Sequence, residues 1–227
     1  MKYLFLLFTV VALPASGQLP YQSIVRIDPK RLFFREISLT YEVPIKGTFA
    51  LEAGLGYRFN RPHAGPEIKG IGSGMFGGYD IQQMANPHLQ AISVSVAPKW
   101  YVPGRAMFLS TMLFSRYWWC DKVRASYDNV EGYRFDALRT ERIGVIGGKL
   151  LVGTTSKPRE VLSRVNYLMT VYAGIGWRWK DMRYQSWDGQ VNDEPVVYLE
   201  EHYRQNIPSL HGGILIGFGF HRKGGKL

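Results

Sequence analysis

Between Phe49 and Phe59 every second residue is apolar: Phe49, Leu51, Ala53, Leu55, Tyr57 and Phe59. The positions between them are Ala50, Glu52, Gly54, Gly56 and Arg58. A period of two over this length is a β-strand, whose side chains alternate between the two faces of a sheet. The makeup of the second face then decides the kind of sheet. Glycines and charges make no dry core. Burying them removes little apolar area, at about 25 cal/mol per Å², and strands the charges away from water. The apolar face must point away from the axis of a closed sheet, which is the inside-out arrangement of a barrel in lipid.

The pattern recurs along the chain. Ile37, Leu39, Tyr41 and Val43 alternate with Glu36, Ser38, Thr40 and Glu42, and a turn expected from Pro44 to Thr48 makes a hairpin with the strand above. Ile92, Val94 and Val96 alternate with Ser93, Ser95 and Ala97 and run into Lys99, Trp100 and Tyr101, before a turn marked by Pro103 and Gly104. A strand is predicted from Ala106 to Trp119 with two competing faces, Phe108, Met112 and Phe114 against Met107, Leu109 and Leu113. From Arg139 to Thr154 a β-bulge at Gly147 and Gly148 would bring Ile143 and Val145 onto the face of Leu150 and Val152. Val165 to Trp177 and His211 to Phe220 complete seven long strands. Both chain ends on one side require an eighth, and Gln22 to Pro29, with Ile24 and Val25, is the best place for it. The expected fold is all-β, an eight-stranded antiparallel up-and-down transmembrane β-barrel.

Short turns are expected after Val43, Tyr101 and Thr154. Long linkers rich in Gly, Pro, Asp and Asn are expected over 60–88, 120–138 and 180–207, the alternation of outer-membrane barrels. Aromatic residues bunch where strands meet these connections: Tyr57, Phe59, Trp100, Tyr101, Trp118, Trp119, Trp177 and Trp179. That placement predicts two interfacial girdles, with each ring half in lipid and its polar atom among headgroups. An eight-stranded barrel is only just wide enough for its own side chains. The inward charges Glu42, Glu52, Arg58, Lys99, Lys149 and Arg178 are therefore expected to form an ion-paired plug rather than line a pore.

The chain begins with Lys2, an apolar run from Tyr3 to Leu13, then Pro14 and the small residues Ala15, Ser16 and Gly17. This is the layout of a secretory signal peptide over residues 1–17, with Gln18 opening a single mature barrel domain. The run is too short to span roughly 30 Å of hydrocarbon as a helix. Cys120 is the only cysteine, so no internal disulfide can form. The formal charge of +10 fits anionic headgroups better than nucleic acid once export is expected. Arg61, Lys69, Arg116, Lys122, Arg124, Arg134, Arg139, Arg142, Arg178, Lys180 and Arg183 are expected near the outer rim, where cations could meet lipopolysaccharide phosphates. His63, His88, His202, His211 and His221 lack metal-ligand spacing, so no metal or cofactor is expected. The glycines from Gly70 to Gly78 lack the lysine and hydroxyl of a phosphate loop.

Several segments together resemble the small outer-membrane β-barrel proteins of the Bacteroidota. These are the Gln18 start, Ala53-Gly54-Leu55-Gly56-Tyr57, Tyr172-Ala173-Gly174-Ile175-Gly176-Trp177, and the close from Pro208 to Phe220. The resemblance implies an outer-membrane location and a barrel fold and carries no assigned activity; outer-membrane lipid and the barrel-insertion machinery are the expected partners of a barrel so placed, with a monomer expected. Such barrels often end on the terminal aromatic, whereas His221 to Leu227 follow Phe220 here. Two alternatives stand beside this reading. Ser209 and His211, two apart and so on one face, are the weak catalytic candidates of a lipid-modifying hydrolase. It would resemble lipid A deacylases, with Glu200 or Glu201 as a third member and histidine acting as base. A soluble lipocalin-like carrier is the other.

Overall fold

The computed structural model describes residues 23–60, 67–68, 88–103, 106–128, 134–156, 159–162, 165–191 and 194–220. The expected signal peptide, the start at Gln18, the Gly70–Gly78 cluster and the tail after Phe220 lie outside them. Eight antiparallel strands follow one another: β1 (Ser23–Ile27), β2 (Glu36–Lys46), β3 (Phe49–Arg58), β4 (Gln90–Tyr101), β5 (Met107–Asp128), β6 (Arg134–Thr155), β7 (Val165–Val191) and β8 (Glu194–Phe220). Each pairs with the next, and β8 returns to pair with β1, so the sheet closes into a ring. Two short segments lie off it, Glu67–Ile68 beside β5 and Arg159–Leu162 beside β7. The β2–β3 turn reverses at Gly47, whose φ of 57° is open to glycine at no steric cost.

The register fixes the shape. From Ser209 on β8 the pairing runs to Gly176, to Lys149 and to Met112. It continues through Ala97 to Glu52, Glu42 and Ile24, and re-enters β8 at Gly219, ten residues along from Ser209. Ten residues rise about 33 Å, against a girth of eight spacings totalling about 38 Å, so the strands tilt by roughly 40°. At that tilt an eight-stranded ring is filled by its own side chains.

Side-chain alternation runs as the sequence implies. Leu39, Leu55, Val94, Val171 and Ile175 are 44%, 60%, 50%, 40% and 61% exposed on the outside, although they are among the most apolar residues present. Their neighbours Glu42, Glu52, Arg58 and Lys99 are buried inside. The ambiguous β5 resolves by parity: Met107, Leu109 and Leu113 face out, and Phe108 faces in. The bulge expected at Gly147 and Gly148 is absent. β6 stays in register through both glycines, so Ile143 and Val145 are buried inside while Leu150 and Val152 face out.

Two of the expected long linkers are strand. β5 runs on to Asp128 and β6 begins at Arg134, and β7 and β8 pair from Val191 and Glu194 downward. A hairpin standing in water needs no apolar face, so its polar sequence carries no alternation to read. The ring is consequently lopsided. β1 to β4 form a low wall, while β5 to β8 rise roughly 30 Å beyond Trp179 by strand rise and tilt.

β1 covers only the lower part of β8, pairing Ser23 with Phe220 and Ile27 with Ile216. Above it the chain turns into a single-turn helix, α1 (Pro29–Phe33). Asp28 caps α1 by accepting from the Lys30 amide at 3.1 Å, and Pro29 begins the turn. Lys30 Nζ reaches the Gly212 carbonyl of β8 at 3.5 Å, while Leu32 and Phe33 point outward, 50% and 87% exposed. Arg35, with φ of 58°, reverses the chain into β2.

Candidate functional site: the ion-paired lumen

Inward-facing residues stack in tiers from the short-turn end to the tall end. The lowest tier couples four charges. Arg26 NH1 donates to Glu42 Oε2 at 2.7 Å and to Glu52 Oε2 at 3.0 Å, and Lys99 Nζ donates to the same two oxygens at 2.9 and 2.5 Å. Glu42 and Glu52 are direct cross-strand partners, a like-charge pair that would repel without the two cations between them. Tyr101 donates its hydroxyl to Glu42 Oε1 at 2.7 Å, and Arg26 Nε donates to Thr170 Oγ1 at 3.2 Å. All four charged side chains are at most 3% exposed, so the charges balance away from solvent.

Around Glu36 the second tier gathers. Its Oε1 accepts from Arg31 at 2.5 Å and from Arg116 at 2.7 Å, and Arg31 also pairs with Asp28. Arg58 and Arg116 each lie 5.0 Å from the Trp118 ring, within cation–π reach. Gly54 and Gly56 leave the room this tier occupies. A Cβ at Gly54 would overlap Ser95 Oγ, and one at Gly56 would overlap Ser93 Oγ and touch Glu36. Above stands an apolar tier of Leu89, Ala91, Trp118, Cys120, Ile143, Val145 and Met182, all buried. Higher still Arg139 pairs with Glu141 at 2.6 Å and sits over the Tyr184 ring.

Of the six inward charges expected from sequence, Glu42, Glu52 and Lys99 meet in the lowest tier and Arg58 sits beside the second. Lys149 and Arg178 also face inward, on β6 and β7, and among the described residues Lys149 joins neither ion cluster. Arg26, Arg31, Glu36 and Arg116 were not foreseen as members. Arg116, Arg139, Arg178 and Lys180, expected at the rim, point into the tube; Lys122, Arg142 and Arg183 lie outside it. Arg61, Lys69 and the side chains of Arg124 and Arg134 fall outside the described residues.

Among the aromatic residues, Trp177 and Trp179 are half exposed on the outer face. Tyr57 packs edge-on against Phe59 at 4.8 Å, and Trp119 stacks on Tyr117. Trp100 also faces out, near the short-turn end. Tyr101 and Trp118 are instead buried in the lumen, because each follows or precedes an outward tryptophan and adjacent strand residues cannot share a face.

Ser209 and His211 do meet inside β8, with Ser209 Oγ 2.7 Å from His211 Nε2. The carboxylates expected to complete them do not reach. Glu201 lies eight residues from Ser209 along the same strand, roughly 26 Å away, and Glu200 is farther still. The pair is a hydrogen-bonded dyad without its third member.

Fold and lumen together define a class: a closed eight-stranded antiparallel ring, apolar outside, with charges paired inside. Compared with known protein families, curated proteins and solved structures, the chain matches none.

Proposed function

We propose that this chain is an integral outer-membrane β-barrel whose filled lumen passes no solute and whose tall side presents a strand ribbon outside the cell, in a structural or surface-recognition role. The observation that carries the reading is the outer surface. Ile37, Leu39, Val43, Leu51, Leu55, Ile92, Val94, Leu113, Ile146, Leu150, Val171 and Ile175 form a belt around the ring at exposures water would penalise. From Met169 to Trp179 the belt spans about 33 Å along β7, or about 25 Å of height at the tilt above, the thickness of the apolar band of such barrels. A leader over residues 1–17 supplies export. Heat-modifiable migration in detergent electrophoresis, together with recovery in the outer-membrane fraction, tests it. Release into aqueous buffer without detergent would favour the carrier.

Just beyond Trp179 the outer face gathers Arg183, His202 and Arg204 around the single carboxylate of Asp181. Cations in excess at that level suit lipopolysaccharide phosphates as partner. The Ser209–His211 bond favours a second reading, a lipid-modifying hydrolase. A lipid A mass profile unchanged between wild type and Ser209→Ala removes it.

A further inference from the structure

Between the lowest tier and the Glu36 tier lies a cavity of about 80 Å³, room for several waters. Its walls carry four cations, Arg31, Lys99, Arg116 and Lys149, against the carboxylates of Asp28 and Glu52. Lys99 is committed to Glu42 and Glu52, and Arg31 and Arg116 share Glu36. Lys149 differs. Among the described residues its ammonium forms no ion pair or hydrogen bond, and its one recorded contact is the Phe114 ring at 4.4 Å. An ammonium seeks three acceptors. Thr40 Oγ1, on the opposite wall, is buried without a hydrogen-bond partner. A cation and a hydroxyl both short of partners thus line one space, flanked by two guanidiniums that share Glu36, of which Arg31 also pairs with Asp28.

We propose that this cavity is a binding site for a small oxyanion of the phosphate class. Lys149 supplies the charge, Arg31 and Arg116 direct further N–H donors, and Thr40 donates its hydroxyl. Burial makes such charge-assisted bonds stronger than at the surface, and a tetrahedral oxyanion, larger than a chloride, carries separate acceptor oxygens that can reach donors on different walls at once. The apolar tier around Trp118 and Ile143 closes the tall end above and the Arg26 tier closes the space below. We place its entrance beside α1, where β1 no longer pairs with β8 and where Asp28 and Arg31 line the space. The site depends on the lumen alone and stands whether or not the ring sits in a membrane.

Calorimetric titration of the folded protein in zwitterionic micelles with inorganic phosphate tests it, with electrophoretic heat-modifiability confirming that each variant is folded. Saturable binding is expected for the wild-type protein and for Arg204→Gln on the outer face. Lys149→Met is expected to fold and to bind at least tenfold more weakly, and Lys149→Arg to bind. No saturable heat in the wild-type protein, or unchanged affinity in Lys149→Met, overturns the proposal. Phosphatidic acid mixed into the micelle separates the sources. Competition with inorganic phosphate assigns the site to a lipid headgroup entering beside α1, and phosphate binding without competition assigns it to the free ion.

Discussion

Leu55 offers the sharpest separation of a lipid-facing belt from a water-facing one. It stands near the middle of β3, flanked by Leu39 and Val94, and is 60% exposed. In water an arginine at so open a site changes stability by less than about 0.5 kcal/mol. At the midplane of a bilayer the same cation costs about 2–4 kcal/mol, or roughly 30- to 700-fold in the folding equilibrium. Ile45, 67% exposed next to the β2–β3 turn, supplies the depth control, since an arginine near the interface costs only about 0–1 kcal/mol. Leu55→Arg and Ile45→Arg, unfolded reversibly in guanidinium with phospholipid vesicles present and followed by tryptophan emission, should therefore differ by about 1–4 kcal/mol. Two variants both within 0.5 kcal/mol of wild type would refute the argument that the belt meets hydrocarbon.

In the lumen, Arg26→Met leaves Glu42 and Glu52 to Lys99 alone and should cost about 3–5 kcal/mol in a denaturant titration, with much of the loss recovered when Glu42→Gln is added. A single-variant cost below about 1 kcal/mol would mean the charges are not coupled. Planar bilayers holding the protein should show no conductance steps, in wild type or in Trp118→Ala, because the ion-paired tier persists beneath the apolar one. Asp181 is held below the usual carboxylate range first by its hydrogen bond with His202 and then by that from Arg204. A lowered folded pKa stabilises above the ordinary aspartate value and is lost as pH falls through the folded one. Protection factors of the amides near Asp181, His202 and Arg204, referred to the intrinsic exchange rate at each pH, should therefore fall at acid pH in wild type, and Asp181→Asn should show the lowered protection already at neutral pH.

The inversion of the ring was legible because Gly54, Gly56, Glu52 and Arg58 share one face of a strand whose other face is Leu51, Leu55 and Tyr57. A dry centre of glycines and charges would gain little from burial, so that division turns the apolar face outward. Parity could also have placed Tyr101 and Trp118, since only one of two adjacent residues can point outward, but bunching at strand ends masked it. Arg26 was missed because a five-residue strand holds too few repeats for a period to show. The extension of β5 to β8 was hidden for a different reason, as a hairpin wet on both faces obeys no hydrophobic pattern. The isolation of Lys149 depends on which neighbours fill the lumen across four strands, which strand periodicity does not encode.

The brevity of β1 bears on how the cylinder is assembled. Its five residues must find Ile216 to Phe220 at the other extreme of the described chain, whereas β5 to β8 zip as local hairpins with long ladders. Loop-closure entropy sets that distant junction last, and few rungs reward it. Synthesis order and closure order thus run opposite: the strand made first is the clasp fastened at the end, and until it fastens Arg26 can meet Glu42 on the adjacent β2 but not the Thr170 hydroxyl across the seam on β7.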